Sequence, residues 1–176
     1  DSLLANNGTL DVRDYQRRFR AFFGPGGQWR GFIDNPTRIT LENFNTIERE
    51  AVEQAKSAMP PGLTEKQKRV LVQKVMPYTR RLSGDQLAQP VRDAISLTYK
   101  EKEVQQAGVH LAETIDRHLV LESGADDMQL PAVSKLPPLV ASHCGNSNLL
   151  EVVEAAVRVT NHNDDAVAWA KCAAIL

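Results

Sequence analysis

Cysteine is scarce in this chain, long apolar runs are missing, and neither sign of charge prevails. Only Cys144 and Cys172 occur among 176 residues, and they form neither a CxxC pair nor a dense framework. That excludes a disulfide scaffold, and two buried thiols in a reducing, cytoplasmic setting are the expectation. No apolar run approaches the ~20 residues that a membrane-crossing helix needs, so no membrane partner is expected. Lys+Arg number 21 and Asp+Glu 22, for a net charge of −1. Such a balance offers nucleic acid no long-range attraction, and no nucleic-acid partner is expected. Alternating strand patterns and internal repeats are also missing. Asn7-Gly8-Thr9 fits a glycosylation sequon, but a match that short carries little weight alone.

What remains is helical sequence. Hydrophobic residues make up 42% of the chain, enough for a single core and so for one domain or part of one. The chain opens on Asp1, and Ser2-Leu3-Leu4-Ala5 reads as the tail of a helix. Ala170 to Leu176 is Ala-rich with no stop signal. Both ends read as cut, so residues 1–176 are expected to be part of one helical domain.

Asn6-Asn7-Gly8 supplies a stop and a turn, after which Asp11 caps a helix. Val12, Tyr15, Phe19 and Phe22 place an apolar stripe along it, with Arg13, Arg17 and Arg20 on another face, read as a solvated basic face in preference to an anion site. Gly24-Pro25-Gly26-Gly27 ends that helix. The loop from Gly24 to Pro36 carries Trp29, Phe32 and Ile33, which predicts an ordered, packed loop. Thr40 then caps a helix with Leu41, Phe44, Ile47, Ala51 and Ala55 inward, stopped by Met59-Pro60-Pro61-Gly62. Thr64 to Gln67 is a capping box ahead of Val70, Leu71 and Val75. Ser83-Gly84-Asp85 restarts the chain, and Pro90 opens a long helix predicted to run toward Leu119. A loop covers Gly124 to Gln129.

Leu130 to Val140, LPAVSKLPPLV, holds three prolines that forbid an uninterrupted helix. Leu149, Val152, Val153, Ala156 and Val157 then line the inside of a helix, and Asn163 caps another from Asp164 to Leu176. The fold class expected is all-α.

Several side chains invite chemistry. Asp164-Asp165 sit in a first helical turn, where they point about 100° apart and oppose the helix dipole. Asp126-Asp127 reads as a solvated turn. His143-Cys144 could suggest a base and nucleophile, but neighbours on a helix face different ways and no orienting acid is apparent. His110 and His118 lie eight positions apart with no third ligand at suitable spacing. Asn161 can hydrogen-bond a hydroxyl or phosphate, or simply hold a loop. Lys135 can meet a diphosphate, or point to solvent.

The junction Thr160-Asn161-His162-Asn163-Asp164-Asp165-Ala166 resembles the Thr-His-x-[Asp/Asn]-Pro-x-Ala junction of the ADP-ribosylglycohydrolase family. The J-crystallin subgroup is similar to three separated blocks in order: GPGGQWRGFIDNPTR at Gly24 to Arg38, LPAVSKLPPLV at Leu130 to Val140, and EAAVRVTNHNDDAVAWA at Glu154 to Ala170. The resemblance implies an orthogonal multi-helix fold with a site for ADP-ribose and two magnesium ions. These would lie between a Thr-Asp-Asp-Thr-like motif near the N-terminus and an Asp-x-Asp-Thr-like motif near the C-terminus, since magnesium prefers hard oxygen.

Neither motif occurs in residues 1–176. The resemblance places one before Asp1 and one after Leu176, making this an internal segment that holds no magnesium and offers no catalytic residue of its own. The family's Gly-Asn-Gly-type phosphate loop falls on Gln129-Leu130-Pro131, with Ser134-Lys135 replacing its Met-Arg. Its junction histidine becomes Asn161, unless a one-residue slip recruits His162. The substrate-binding set implied is Asn161, Lys135 and Ser134, facing ADP-ribose or an ADP-ribosylated molecule. The parent would be a magnesium-dependent ADP-ribosyl hydrolase, with no turnover by this isolated chain. Alternatives are a non-catalytic, crystallin-like structural protein that kept the fold, or an unrelated helical interaction domain.

Overall fold

A computed structural model describes residues 1–118, 123–128 and 130–176, and two positions invoked above, Leu119 and Gln129, fall outside them. Among the described residues the chain is built from α-helices and 3-10 turns, with no strand and one isolated parallel bridge, Ala125 to Asn161. The all-α expectation holds. No described helix is long and apolar enough to cross a membrane. The chain divides into two compact units: Asp1–Asn45 with Glu122–Leu176, and Thr46–Leu121.

In the first unit, α1 (Ser2–Ala5) ends where Asn7 and Gly8 take positive φ of 52° and 83°. Left-handed backbone of this kind favours Gly and tolerates Asn. Helix α2 (Val12–Phe23) is capped by Asp11, whose carboxylate accepts from the Asp14 N–H at 3.0 Å. Phe19 is buried and its ring meets those of Phe23 at 5.0 Å and Phe44 at 6.5 Å, while Phe22 reaches the surface. The loop that follows is only partly packed. Trp29 leans on Phe22 and Phe23, but Phe32 is 88% exposed, which corrects the expectation of a packed loop.

Helix α3 (Asn35–Ser57) begins earlier than expected. Asp34 accepts from the Thr37 N–H at 2.9 Å and so takes the capping role assigned to Thr40. Pro36 suits this first turn because no partner is missing for its absent N–H. Thr40 is left inside the helix and fully buried. Residues 35–45 of α3 belong to the first unit and 46–57 to the second.

The second unit contains α4 (Glu65–Thr79), whose capping box is complete: Thr64 Oγ1 accepts from the Gln67 N–H and Gln67 Oε1 accepts from the Thr64 N–H. The long helix expected from Pro90 is two helices, α5 (Ala88–Ser96) and α6 (Lys102–His118). At the break the Thr98 and Tyr99 N–H groups both donate to the Ile95 carbonyl, and Leu97 is 82% exposed. One continuous helix would leave its apolar stripe unpartnered; turning at 97–101 lets α5 pack on α6, with α4 against both. Leu71, Val75, Leu87, Val91, Ile95, Leu111 and Ile115 form the core and are essentially inaccessible. Gly108 permits the close approach of α6 to α5, since a Cβ there would lie 2.0 Å from Ile95 Cδ1.

The first unit resumes with a 3-10 turn over Leu130–Lys135, then α7 (Leu136–His143), with Pro137 and Pro138 in its first turn. Helices α8 (Leu149–Arg158) and α9 (Asp164–Ile175) pack through Val153, Val157, Ala166, Val167 and Ala170. Asn163 caps α9, accepting from the Ala166 N–H at 3.1 Å. Cys144 and Cys172 are both exposed, which overturns the expectation of buried thiols. Cys144 sits just past the end of α7, and Cys172 lies on the outward face of α9 beside Trp169 and Ile175.

Candidate functional site

The junction between α8 and α9 is held by backbone and side chains together. Ala125 donates its N–H to the Thr160 carbonyl at 3.1 Å and accepts from the His162 N–H at 2.7 Å. Gly124 allows this approach, because a Cβ there would fall 2.4 Å from the Arg158 carbonyl oxygen. Thr40 Oγ1 donates to the same Thr160 carbonyl at 3.0 Å and accepts from the Ala125 N–H at 3.3 Å. Ser123 Oγ donates to the Val159 carbonyl at 3.2 Å.

Asn161 sits at the centre of this knot with no exposed surface. Its Nδ2 donates to the Asp127 carbonyl at 3.1 Å, and its Oδ1 accepts from Thr160 Oγ1 at 2.9 Å and Lys135 Nζ at 3.3 Å. Lys135 Nζ also donates to Thr160 Oγ1. The structure therefore brings Asn161 and Lys135 together. Asn161 is enclosed by the protein itself, whereas Lys135 lines a cavity of about 660 Å³. Ser134 is exposed and lines the same cavity.

That cavity lies within the first unit. Tyr15 and Arg18 of α2, Trp29, Phe32 and Asp34 of the loop, and Ser134, Lys135 and Thr160 all border it. Three separated stretches of the chain contribute: Gly24 to Arg38 supplies the aromatic wall, Leu130 to Val140 the lysine, and Glu154 to Ala170 the threonine. Arg18 is already tied to Asp14 at 2.7 Å. Lys135 is half-buried as a residue, and its ammonium is desolvated. That burial pulls its pKa from 10.5 down to about 7, against the upward pull of Asp34. Burial likewise pushes the Tyr15 phenol above its ordinary range.

A polar environment of this kind can orient hydroxyls and an anion beside an aromatic surface. Among the described residues no group of three or more His, Cys, Asp or Glu stands together as a metal-holding set. Asp126, Asp164, Asp165 and His162 border a separate surface pocket. There Asp164 pairs with Arg158 at 2.8 Å, and Asp126 accepts from Asn163 Nδ2 at 2.8 Å. His143 is buried, its Nδ1 against the Leu139 carbonyl and Ser142 Oγ, next to the exposed Cys144. His118 Nδ1 lies 2.7 Å from the Thr114 carbonyl, and His110 is exposed.

Sequence reasoning missed Thr40 and Tyr15. For Thr40 a signal existed: it falls on the stripe Thr40, Phe44, Glu48, Ala51, Ala55, where a polar residue facing inward needs a buried partner. No protein-family profile, no curated protein and no solved structure matches this chain.

Proposed function

We propose that the first unit is the ligand-holding part of a cytoplasmic protein resembling magnesium-dependent ADP-ribosyl hydrolases, and that this isolated chain binds ADP-ribose without turning it over. The convergence of the three resembling blocks on one cavity, with Lys135 inside it, is the observation that carries this reading. An adenine ring would lie against Trp29 and Phe22, and a diphosphate would meet Lys135 and Ser134. Thr160 and Asn161 act one step back, fixing the lysine. Water activation would fall to magnesium held by carboxylates outside these residues.

A second reading has its own support. Asn161 directs all its polar atoms into the protein, which is what a non-catalytic, crystallin-like scaffold that kept the fold would retain. The two readings part on ligand binding. ADP-ribose at ~100 times its dissociation constant should stabilise the folded chain by about 2.7 kcal/mol. A thermal scan of the wild-type chain and of Trp29→Ala decides between them. A shift that the variant loses supports the hydrolase-like reading; an unmoved melt with saturating ADP-ribose supports the scaffold.

A further inference from the structure

Lys135 borders a second cavity, and the chemistry there differs from the first. This cavity measures about 680 Å³, within the range of small-molecule sites. It shares Asp1, Ser2, Tyr15 and Lys135 with the first, but Leu3, Leu10, Pro138, Leu139, Ala141 and Ala156 make the rest of its wall largely aliphatic. Asp1 and Lys135 are its charged side chains, and Asp1 is exposed.

The lysine is the unusual element. Its hydrogen bonds go to a hydroxyl and an amide oxygen, Thr160 Oγ1 and Asn161 Oδ1, both uncharged. Among the described residues no carboxylate pairs with it, and Asp34 acts on it only through space. Buried cations are ordinarily paired, because leaving water without a counter-charge is costly. An anionic group entering from the cavity would complete the set. Lys135 shares this cavity with the aliphatic wall, a pairing that favours a ligand with one anionic head and one hydrocarbon tail.

We propose that this cavity takes a medium-chain aliphatic carboxylate, its head on Lys135 beside Tyr15 and its tail along Leu3, Leu10 and Leu139. The site is separate from the aromatic wall that would hold a nucleotide, so it stands whether or not ADP-ribose binds. Because Lys135 borders both cavities, the two ligands should compete.

Titration calorimetry with hexanoate, octanoate and decanoate, below their micellar concentrations, tests the tail. Each methylene buried contributes ~0.8 kcal/mol, so affinity should rise about fifteenfold for every two carbons. Decanol tests the head: it should bind at least tenfold more weakly than decanoate to the wild-type chain. Lys135→Met should weaken decanoate at least tenfold and leave decanol unchanged, and the decanol titration shows that the variant's cavity is intact. Leu10→Gln should weaken decanoate alone, whereas Trp29→Ala should weaken ADP-ribose alone, so failure of the nucleotide reading and failure of this one are separable. No saturable decanoate binding, an affinity indifferent to tail length, or decanol matching decanoate would each overturn the proposal.

Discussion

Two regions of this molecule are held by different forces. Between Thr46 and His118, α4, α5 and α6 bury Leu71, Val75, Val91, Ile95, Leu111 and Ile115 against one another. Around Thr160 and Asn161 the interior is polar, and Thr40 bonds a carbonyl 120 residues away in sequence. Aliphatic burial is non-directional and scales with area, so the first region should tolerate volume-preserving change. The second depends on directional bonds whose loss leaves buried polar groups unmet. Burial of volume should therefore decide stability in one place, and satisfaction of hydrogen bonds in the other.

The largest effect is expected from Ile95→Ala, which leaves a cavity in the aliphatic region and should cost ~2–5 kcal/mol in urea unfolding. The same cavity sharpens the comparison. Gly108 faces Ile95 Cδ1 at 2.0 Å from where a Cβ would stand, so Gly108→Ala should be less harmful in the Ile95→Ala background than in the wild type. Strict additivity of the two would mean that volume is not the controlling quantity there.

In the polar region, Thr40→Val preserves shape and removes the hydroxyl. It should cost about 1.5 kcal/mol, because the Thr160 carbonyl loses one of its two donors and the Ala125 N–H one of its two acceptors, while the two keep each other as partners. Thr40→Ser should recover most of the loss. Faster hydrogen exchange at the Ala125 amide in the valine variant would locate the damage. A neutral Thr40→Val would place this interior in the same category as the aliphatic one.

The contrast also explains what could be read from sequence. Spacing revealed the inward faces of α4 and α8, and the caps at Asp11, Thr64 and Asn163, because those signals lie within a few residues of each other. The break at Leu97–Glu101 was hidden, since the apolar spacing of α5 continues into α6 and only tertiary packing breaks it. Thr40 was misread as a cap because a local rule matched, while its real partners lie near residues 125 and 160. Lys135 and Asn161 were legible as candidates, but their contact with each other was not, and neither was the burial that leaves one facing a cavity and the other enclosed.

A comparable effect, opposite in sign, is expected from Lys135→Met. The folded protein holds the Lys135 proton less tightly than the unfolded chain, whose lysine titrates near 10.5, whereas the folded value is about 7. Between those values the unfolded chain binds more protons, so wild-type stability rises with pH, and below about 7 the full cost of the buried charge is felt. Methionine removes that cost but leaves Thr160 Oγ1 and Asn161 Oδ1 without the lysine donor. A net gain of ~1–2 kcal/mol at pH 6 is expected, shrinking toward zero or below by pH 9. The measurement is the difference between variant and wild-type urea midpoints across that range. A difference independent of pH would mean that the amine is well hydrated in the folded state.

The smallest effect tests where the polar region ends. Asn163 does two things: its Oδ1 caps α9, and its Nδ2 donates to Asp126 at 2.8 Å on the exposed side. Asn163→Ser retains a capping oxygen and removes the bond to Asp126, while Asn163→Ala removes both. Caps of this kind contribute ~1 kcal/mol, and exposed polar bonds a few tenths, since water replaces them readily. Asn163→Ser should thus fall within about 0.5 kcal/mol of wild type and Asn163→Ala about 1 kcal/mol below it. Equal losses in the two variants would show that the tie to Asp126, rather than the cap, holds this loop. The directional network around Asn161 would then extend to the surface and include the turn at Asp126 and Asp127.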